Sequence, residues 1–177
     1  MRKIYLLLII MLVATTTMMA QNVVVPEFKN EPMPVKNDST LGRLEFTHFD
    51  PDKTDPAVTQ ILFMSVSQQD YYTYDYPKSP VRLQTSTRFM IKLSDPEMDP
   101  ESVFLLTKVA ASKKNRVVYA SGKQPFGPSM KVKIEFVKIA PGIYQIIPEQ
   151  LLPNTEYAFV YIPDTGSHVR CYLFGVD

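Results

Sequence analysis

Residues 130–138 read MKVKIEFVK. Met130, Val132, Ile134 and Phe136 alternate with Lys131, Lys133 and Glu135. A period of two sends successive side chains to opposite faces of an extended strand. Such a run suits a sheet with one face in a core and the other in water. Similar runs recur along the chain: LEFTHF (44–49), VTQILFMSV (58–66), VRLQTSTRFMIKL (81–93), GIYQII (142–147), TEYAFVYI (155–162) and HVRCYLFGV (168–176). Turn-forming stretches such as PDKTDP, KSP, PFGPS, APG, LPN and PDTGS separate them. The 15 prolines are read as lying outside the alternating runs. A sheet requires this, because proline cannot donate to a ladder. Short strands at this spacing predict an all-β, antiparallel β-sandwich.

One segment admits two readings. DPESVFLLTKVAASKKN (99–115) opens like a capped helix, with Asp99 at N-cap and Pro100 in the first helical position. The apolar run Val103–Leu106, then SKKN, then RVVYA reads equally as a hairpin turning at Ser112–Asn115. The strand signals on either side favour the hairpin.

The amino-terminal stretch is a different kind of sequence. Arg2 and Lys3 precede the apolar run IYLLLIIMLVA (4–14), and a small-residue site ends at Ala20. That order is the grammar of a secretory signal peptide, although Met18 is large for its place before the cut. Eleven apolar residues are few beside the roughly 20 that span a bilayer, so cleavage is expected over anchoring. No cysteine follows at the cut to carry a lipid, and no later apolar run is long enough to span. The domain reading is signal peptide 1–20, proline-rich tether 21–43 and a single sandwich domain 44–177. The expected location is outside the cytoplasm, either periplasmic or secreted to the cell surface.

The 177 residues less the first 20 leave 157, enough for one domain with a sizeable core. Removing Arg2 and Lys3 leaves 17 of the 19 basic residues against 18 acidic ones. That near-neutral balance argues against a nucleic-acid partner. The one cysteine, Cys171, has no partner for an intramolecular disulfide, so the core must hold the fold unaided.

The carboxy-terminal third resembles a family. LLPNTEYAFVY, followed by LFGVD, is similar to a pattern in uncharacterised secreted proteins of the Bacteroidota. Those read leucine-x-proline-glycine-glutamate-tyrosine-alanine-phenylalanine, then a hairpin, then phenylalanine-glycine-valine-aspartate. The matching residues are Leu152, Pro153, Glu156, Tyr157, Ala158 and Phe159, then Phe174, Gly175, Val176 and Asp177. Asn154-Thr155 stands where the pattern has one glycine. The short runs themselves count to seven to nine strands, and the resemblance implies that the sandwich is immunoglobulin-like and exported. It implies no activity, because its residues are sheet and turn chemistry and a fold does not carry a function.

The candidate site is QQDYYTYDYPKSP (68–80), with Tyr71, Tyr72, Tyr74 and Tyr76. In a strand, Tyr72, Tyr74 and Tyr76 share one face at about 6.6 Å spacing. Three exposed rings would make a stacking platform for a glycan. Ordinary packing is the plainer reading, since tyrosine is a favoured strand residue. An edge that anchors a protein partner stands between them. Lys78 and Pro80 look like guards against an open edge there.

Metal and catalytic readings are weaker. DPDKTDP (50–56) fails the EF-hand pattern, with Asp55 where glycine is required and Ile61 where glutamate is. DPEMDPE (95–101) alternates four carboxylates but reads as solvated turns. His168 and Cys171 lie three apart, on opposite faces of a strand, and His48 is the only other histidine. No nucleophile elbow, phosphate-binding glycine loop or HExxH is present. The expectation is therefore a non-catalytic binding or assembly module without cofactor or metal, contacting another envelope or secreted protein. A carbohydrate-binding module using the tyrosines is the alternative.

Overall fold

The computed structural model describes residues 24–37, 40–47, 71–119, 129–163 and 169–177. Among these residues the chain forms fourteen strands and one helical turn. The strands are β1 (Met33–Asn37), β2 (Thr40–Leu41), β3 (Glu45–Thr47), β4 (Tyr71–Asp75), β5 (Arg82–Leu83), β6 (Phe89–Lys92), β7 (Phe104–Lys108), β8 (Ala110–Ala111) and β9 (Asn115–Tyr119). They continue as β10 (Lys131–Val132), β11 (Ile134–Ala140), β12 (Ile143–Pro148), β13 (Thr155–Tyr161) and β14 (Arg170–Val176), and α1 is Pro100–Val103.

Three sheets result. One runs β11-β12-β6-β1-β2, a second β10-β7-β13-β14-β3, and a third β4-β9-β8. Strand β5 adds to the far end of β14 in the one parallel pair between named strands, and the other ladders are antiparallel. The expected all-β, antiparallel sheet architecture is therefore observed.

The sheet containing β13 and β14 is buried on both faces, and alternation explains how. Tyr157, Phe159 and Tyr161 of β13, with Tyr172, Phe174 and Val176 of β14, meet Phe89 and Ile91 of β6 and Ile146 of β12. The rings of Phe89 and Phe159 pack edge-on, 4.9 Å between centroids. Such a pair adds about 0.5–1.5 kcal/mol beyond the area it buries. The intervening residues Ala158, Val160, Cys171 and Leu173 face the other way, onto Tyr74 of β4, Val118 of β9 and Val109. The three-stranded sheet thus lies over the second face. Strands buried on both faces read as continuous apolar runs, which is what YAFVY and CYLF are.

Four expectations need correction. The run 130–138 is not one strand: it leaves β10, paired to β7, and enters β11, paired to β12 in another sheet. Its alternation survives because Val132, Ile134 and Phe136 all pack on the core between the two sheets. The run 81–93 breaks where Gln84 and Thr87 bond each other, N–H of Thr87 to O of Gln84 at 3.1 Å and N–H of Gln84 to Oγ1 of Thr87 at 3.1 Å. Finally, the part of the presumed tether from Lys29 onward is built into the fold. Strand β1 pairs β6 through Met33 and Pro34, and Asn30 and Glu31 are buried. Nδ2 of Asn30 donates to Ser94 Oγ (3.0 Å) and to the Tyr161 hydroxyl (3.1 Å). Proline sits inside β1 and β12, against expectation. The Pro34 carbonyl accepts from the N–H of Gly42 just past the end of β2, where the ladder stops.

In the ambiguous segment both features form. Asp99 caps the single turn α1, accepting from the N–H of Glu101 at 3.0 Å. The hairpin follows at Ser112–Asn115, closed by Ser112 N–H to Asn115 O at 2.8 Å. The predicted strand at 58–66 lies outside the described residues.

Candidate functional site

The tyrosine segment forms β4, paired with β9 from Tyr71↔Tyr119 to Asp75↔Asn115. Tyr74 turns inward and is buried in the cluster with Val118, Cys171 and Leu173. Tyr76 leaves the strand at φ 67° and is 76% exposed. The side chains of Tyr71 and Tyr72 lie outside what is described. A platform of three exposed, coplanar rings from Tyr72, Tyr74 and Tyr76 therefore does not form, because Tyr74 is core and Tyr76 has left the strand. Of the two tyrosine rings described in this segment, that of Tyr76 is the exposed one. A bulky residue at positive φ is strained, and its carbonyl is held by Arg116 Nε at 3.0 Å.

That arginine opens the most densely bonded part of the molecule. Arg116 of β9 is 1% exposed. Its guanidinium grips Glu45 of β3 with two bonds, 2.7 and 2.8 Å, and reaches the carbonyl of Asp75 at 3.3 Å. It also lies 3.9 Å from the carboxylate of Glu156 on β13. Glu156 accepts from the N–H of Ser79 at 2.9 Å and pairs with Arg82 of β5. Arg82 in turn bonds Asp177 (2.8 and 3.0 Å) and the carbonyl of Val176 (3.2 Å). The chain Glu45–Arg116–Glu156–Arg82–Asp177 alternates in sign from end to end. A buried charge needs such partners, since removing it from water costs several kcal/mol.

Ionisation follows from the geometry. Burial pushes the Glu45 carboxyl up, but bonds from Arg116 and Ser79 with the Arg116 charge bring it below its ordinary value. The bond from Arg82 leads the lowering of Asp177. Burial raises the Cys171 thiol from 9.0 to about 12, against a weaker opposing bond with Tyr74. That is an inert, structural cysteine.

The carboxy-terminal motif now has a physical account. Glu156 and Asp177 clamp Arg82 from two sides. Gly175 lies where any side chain would overlap the Arg82 guanidinium. The Tyr157 hydroxyl accepts from the N–H of Leu152 at 2.7 Å, closing the corner before β13. Asn154, standing in for the pattern's glycine, takes the left-handed φ of 54°, which asparagine tolerates better than most residues. These residues are the frame of the molecule. Sequence reading missed the ion chain because its members lie far apart in sequence. The sole local signal is that Arg116 and Glu156 occupy inward positions of their strands, in step with Val118 and Ala158.

The open surface lies elsewhere. Strand β11 is an edge of its sheet, seven residues long, with no strand on its outer side among the described residues. Ile139 is 38% exposed on it. Two cavities border it, and a third lies beyond its first residue, over β10 and the loop after β12. The first, about 290 Å³, lies between Phe136, Lys138 and Tyr144 and the loop of Glu97, Asp99 and Glu101. The second, about 170 Å³, lies over Leu106, Ile134 and Phe136. The third, about 610 Å³, is bordered by Lys108, Val132, Lys133 and Glu149.

Among the described residues no three of histidine, cysteine, aspartate and glutamate are placed to hold a metal ion. His48, His168 and the segment 50–56 lie outside the described residues. No described helix is long and apolar enough to cross a membrane. Among the described residues the fold is that of a layered, mainly antiparallel β protein with cavities along the β11 edge. Comparison with protein-family models, curated proteins and solved structures finds no match.

Proposed function

We propose that the protein is an exported, non-catalytic binding or assembly module that recognises another envelope or secreted protein through a sheet edge. The observation that carries this is β11, an edge of seven residues with no strand on its outer side among the described residues and two cavities along it. Sheet edges left without charged or bulged protection pair readily with extended segments. Strand β11 carries two charged residues, Glu135 and Lys138, and its register shifts between Lys138 and Ala140, so its edge is guarded in part, with Val137 and Ile139 as the apolar positions beside Lys138. The signal-like order of residues 1–20 and the resemblance of the carboxy-terminal third support export. The proposed site is the β11 edge rather than Tyr71, Tyr72, Tyr74 and Tyr76, since Tyr74 is buried and Tyr76 belongs to the layer on the other side of the central sheet.

The test is a comparison of the full chain with Val137→Lys/Ile139→Lys, which adds two guards to the edge. Both are used to capture proteins from envelope and culture fractions, with folding checked by circular dichroism. A partner that photo-crosslinks to β11 in wild type and is lost from the folded variant is the expected result. Equal capture by both, or cross-links confined to other surfaces, would refute the edge. Recovery of the native protein in the cytoplasmic fraction would refute export.

A further inference from the structure

The first cavity beside β11 is short of positive charge. Lys138 pairs with Tyr144 in the β11–β12 register, and residues directly opposite share a side of the sheet. Both line that cavity together with Phe136, two positions before Lys138. The rings of Phe136 and Tyr144 stand edge to face, 6.4 Å between centroids. Glu97, Asp99 and Glu101 border the same space, with Lys138 as its one cation. Asp99 is engaged in capping α1. Glu97 and Glu101 are exposed and make no ion pair among the described residues. A second cation would be stabilised there by ring faces and carboxylates together.

Strand geometry limits how that cation can arrive from a second copy. A closed pair joined through one shared edge has a two-fold axis. Opposite residues of an antiparallel pair point to the same side, so the axis must pass through a residue rather than between two. Strand β11 pairs with β12 without a shift from Ile134 to Lys138. An axis through Glu135 or Lys138 sets like charges directly opposite, which is destabilising. An axis through Phe136 sets Lys138 opposite the other copy's Ile134. The cavity there is bordered by Glu101 but not by Glu97 or Asp99, and it already holds Lys131. An axis through Val137 sets Val137 opposite itself and Lys138 opposite the other copy's Phe136. Each lysine then stands on the side of the sheet that carries the other copy's rings and carboxylates.

We infer that β11 pairs with β11 of a second copy, antiparallel about a two-fold axis through Val137, and that each copy's Lys138 enters the carboxylate-and-aromatic cavity of the other. This pairing rests on the edge-binding reading above and names the occupant of the edge. A foreign segment competes with the second copy for the same strand. The register shift after Lys138 ends the regular ladder, so the pairing is short and the lysines set its register. Lys138 guards the edge against registers that leave it facing another charge, and favours the one that brings it to the carboxylates.

Sedimentation equilibrium of the full chain is the test, with each variant checked for folding by circular dichroism. Lys138→Glu and Glu97→Lys/Glu101→Lys should each weaken self-association about tenfold or more. An equimolar mixture of the two variants should associate nearly as wild type does, because each supplies the charge that the other's cavity then lacks. Contacts within one chain cannot produce that rescue. Val137→Cys should form a disulfide across the axis under mild oxidation, with Cys171 buried and out of reach. Glu135→Cys should not, since its two copies lie four positions apart, roughly 13 Å. Variants that associate like wild type, a mixture that stays dissociated, or a faster disulfide from Glu135→Cys would overturn the pairing. A monomeric wild type that still cross-links another protein at β11 would overturn it and leave edge binding intact. A monomer with no partner at β11 would overturn both.

Discussion

At the scale of single residues, Gly175 is the clearest constraint. A side chain there meets the Arg82 guanidinium, which fills the space beside the glycine to reach Glu156. Gly175→Ala should displace Arg82 and leave Glu156, 7% exposed, short of a partner. Breaking a buried pair on one side costs about 3 kcal/mol or more, and Arg116 with the Ser79 N–H keeps this case at the lower end. Urea unfolding would show it as a lower midpoint at unchanged slope. The Arg82→Ala/Gly175→Ala double variant should lose less than the sum of the two single losses, because both changes break the same Arg82–Glu156 pair. Additive losses would mean that glycine is needed for another reason. None of this is legible in FGVD as letters, since the atom that forbids a side chain belongs to a residue 93 positions earlier.

Among the elements, the corner before β13 shows how a turn and a strand are joined. The Tyr157 side chain is fully buried, and its hydroxyl has one described bond, from the Leu152 N–H. Tyr157→Phe keeps the ring stacked on Phe174, 5.4 Å away, and leaves that N–H unmatched. The expected loss is about 1–3 kcal/mol, measured by thermal or urea unfolding. Loss of less than a few tenths would mean that water replaces the hydroxyl there. The element boundaries were readable where local chemistry decides them. Asp99 and Pro100 announce α1, and Ser112–Asn115 announces the hairpin. They were unreadable where partners decide. The run 130–138 keeps one alternation while changing sheets, because both halves face the same core. The MPVKN strand was hidden by its proline, which is tolerated because its neighbour β2 ends there.

For the whole molecule, the ion chain joins its layers: Arg116 belongs to the three-stranded sheet and Glu45 and Glu156 to the central one. This sets a pH signature. Glu45 and Asp177 titrate below their ordinary values in the folded state. Their stabilisation is full above those values, 4.5 and 3.8, and is lost as pH falls through the folded-state ones. Stability should therefore decline below about pH 4.5, and Glu45→Gln should flatten that decline while lowering stability at neutral pH. Cys171 and Tyr172 act in the opposite sense, since burial raises both and favours their neutral forms. The Cys171 contribution holds below 9.0 and is lost as pH climbs toward about 12. Urea midpoints across the pH range, for wild type, Glu45→Gln and Cys171→Ala, check both limbs; parallel curves would sink the assignment. The alternation of apolar and polar residues by itself determined that this chain is antiparallel sheet, because side-chain period follows from strand geometry alone. That the strands holding YAFVY and CYLF are buried on both sides came from the structure, which lays a sheet over each face. Which tyrosine turns inward, which charges meet, and which edge stays open were decided by tertiary structure. Those are properties of residues brought together from opposite ends of the chain, and no local pattern encodes a neighbour 40 to 100 positions away.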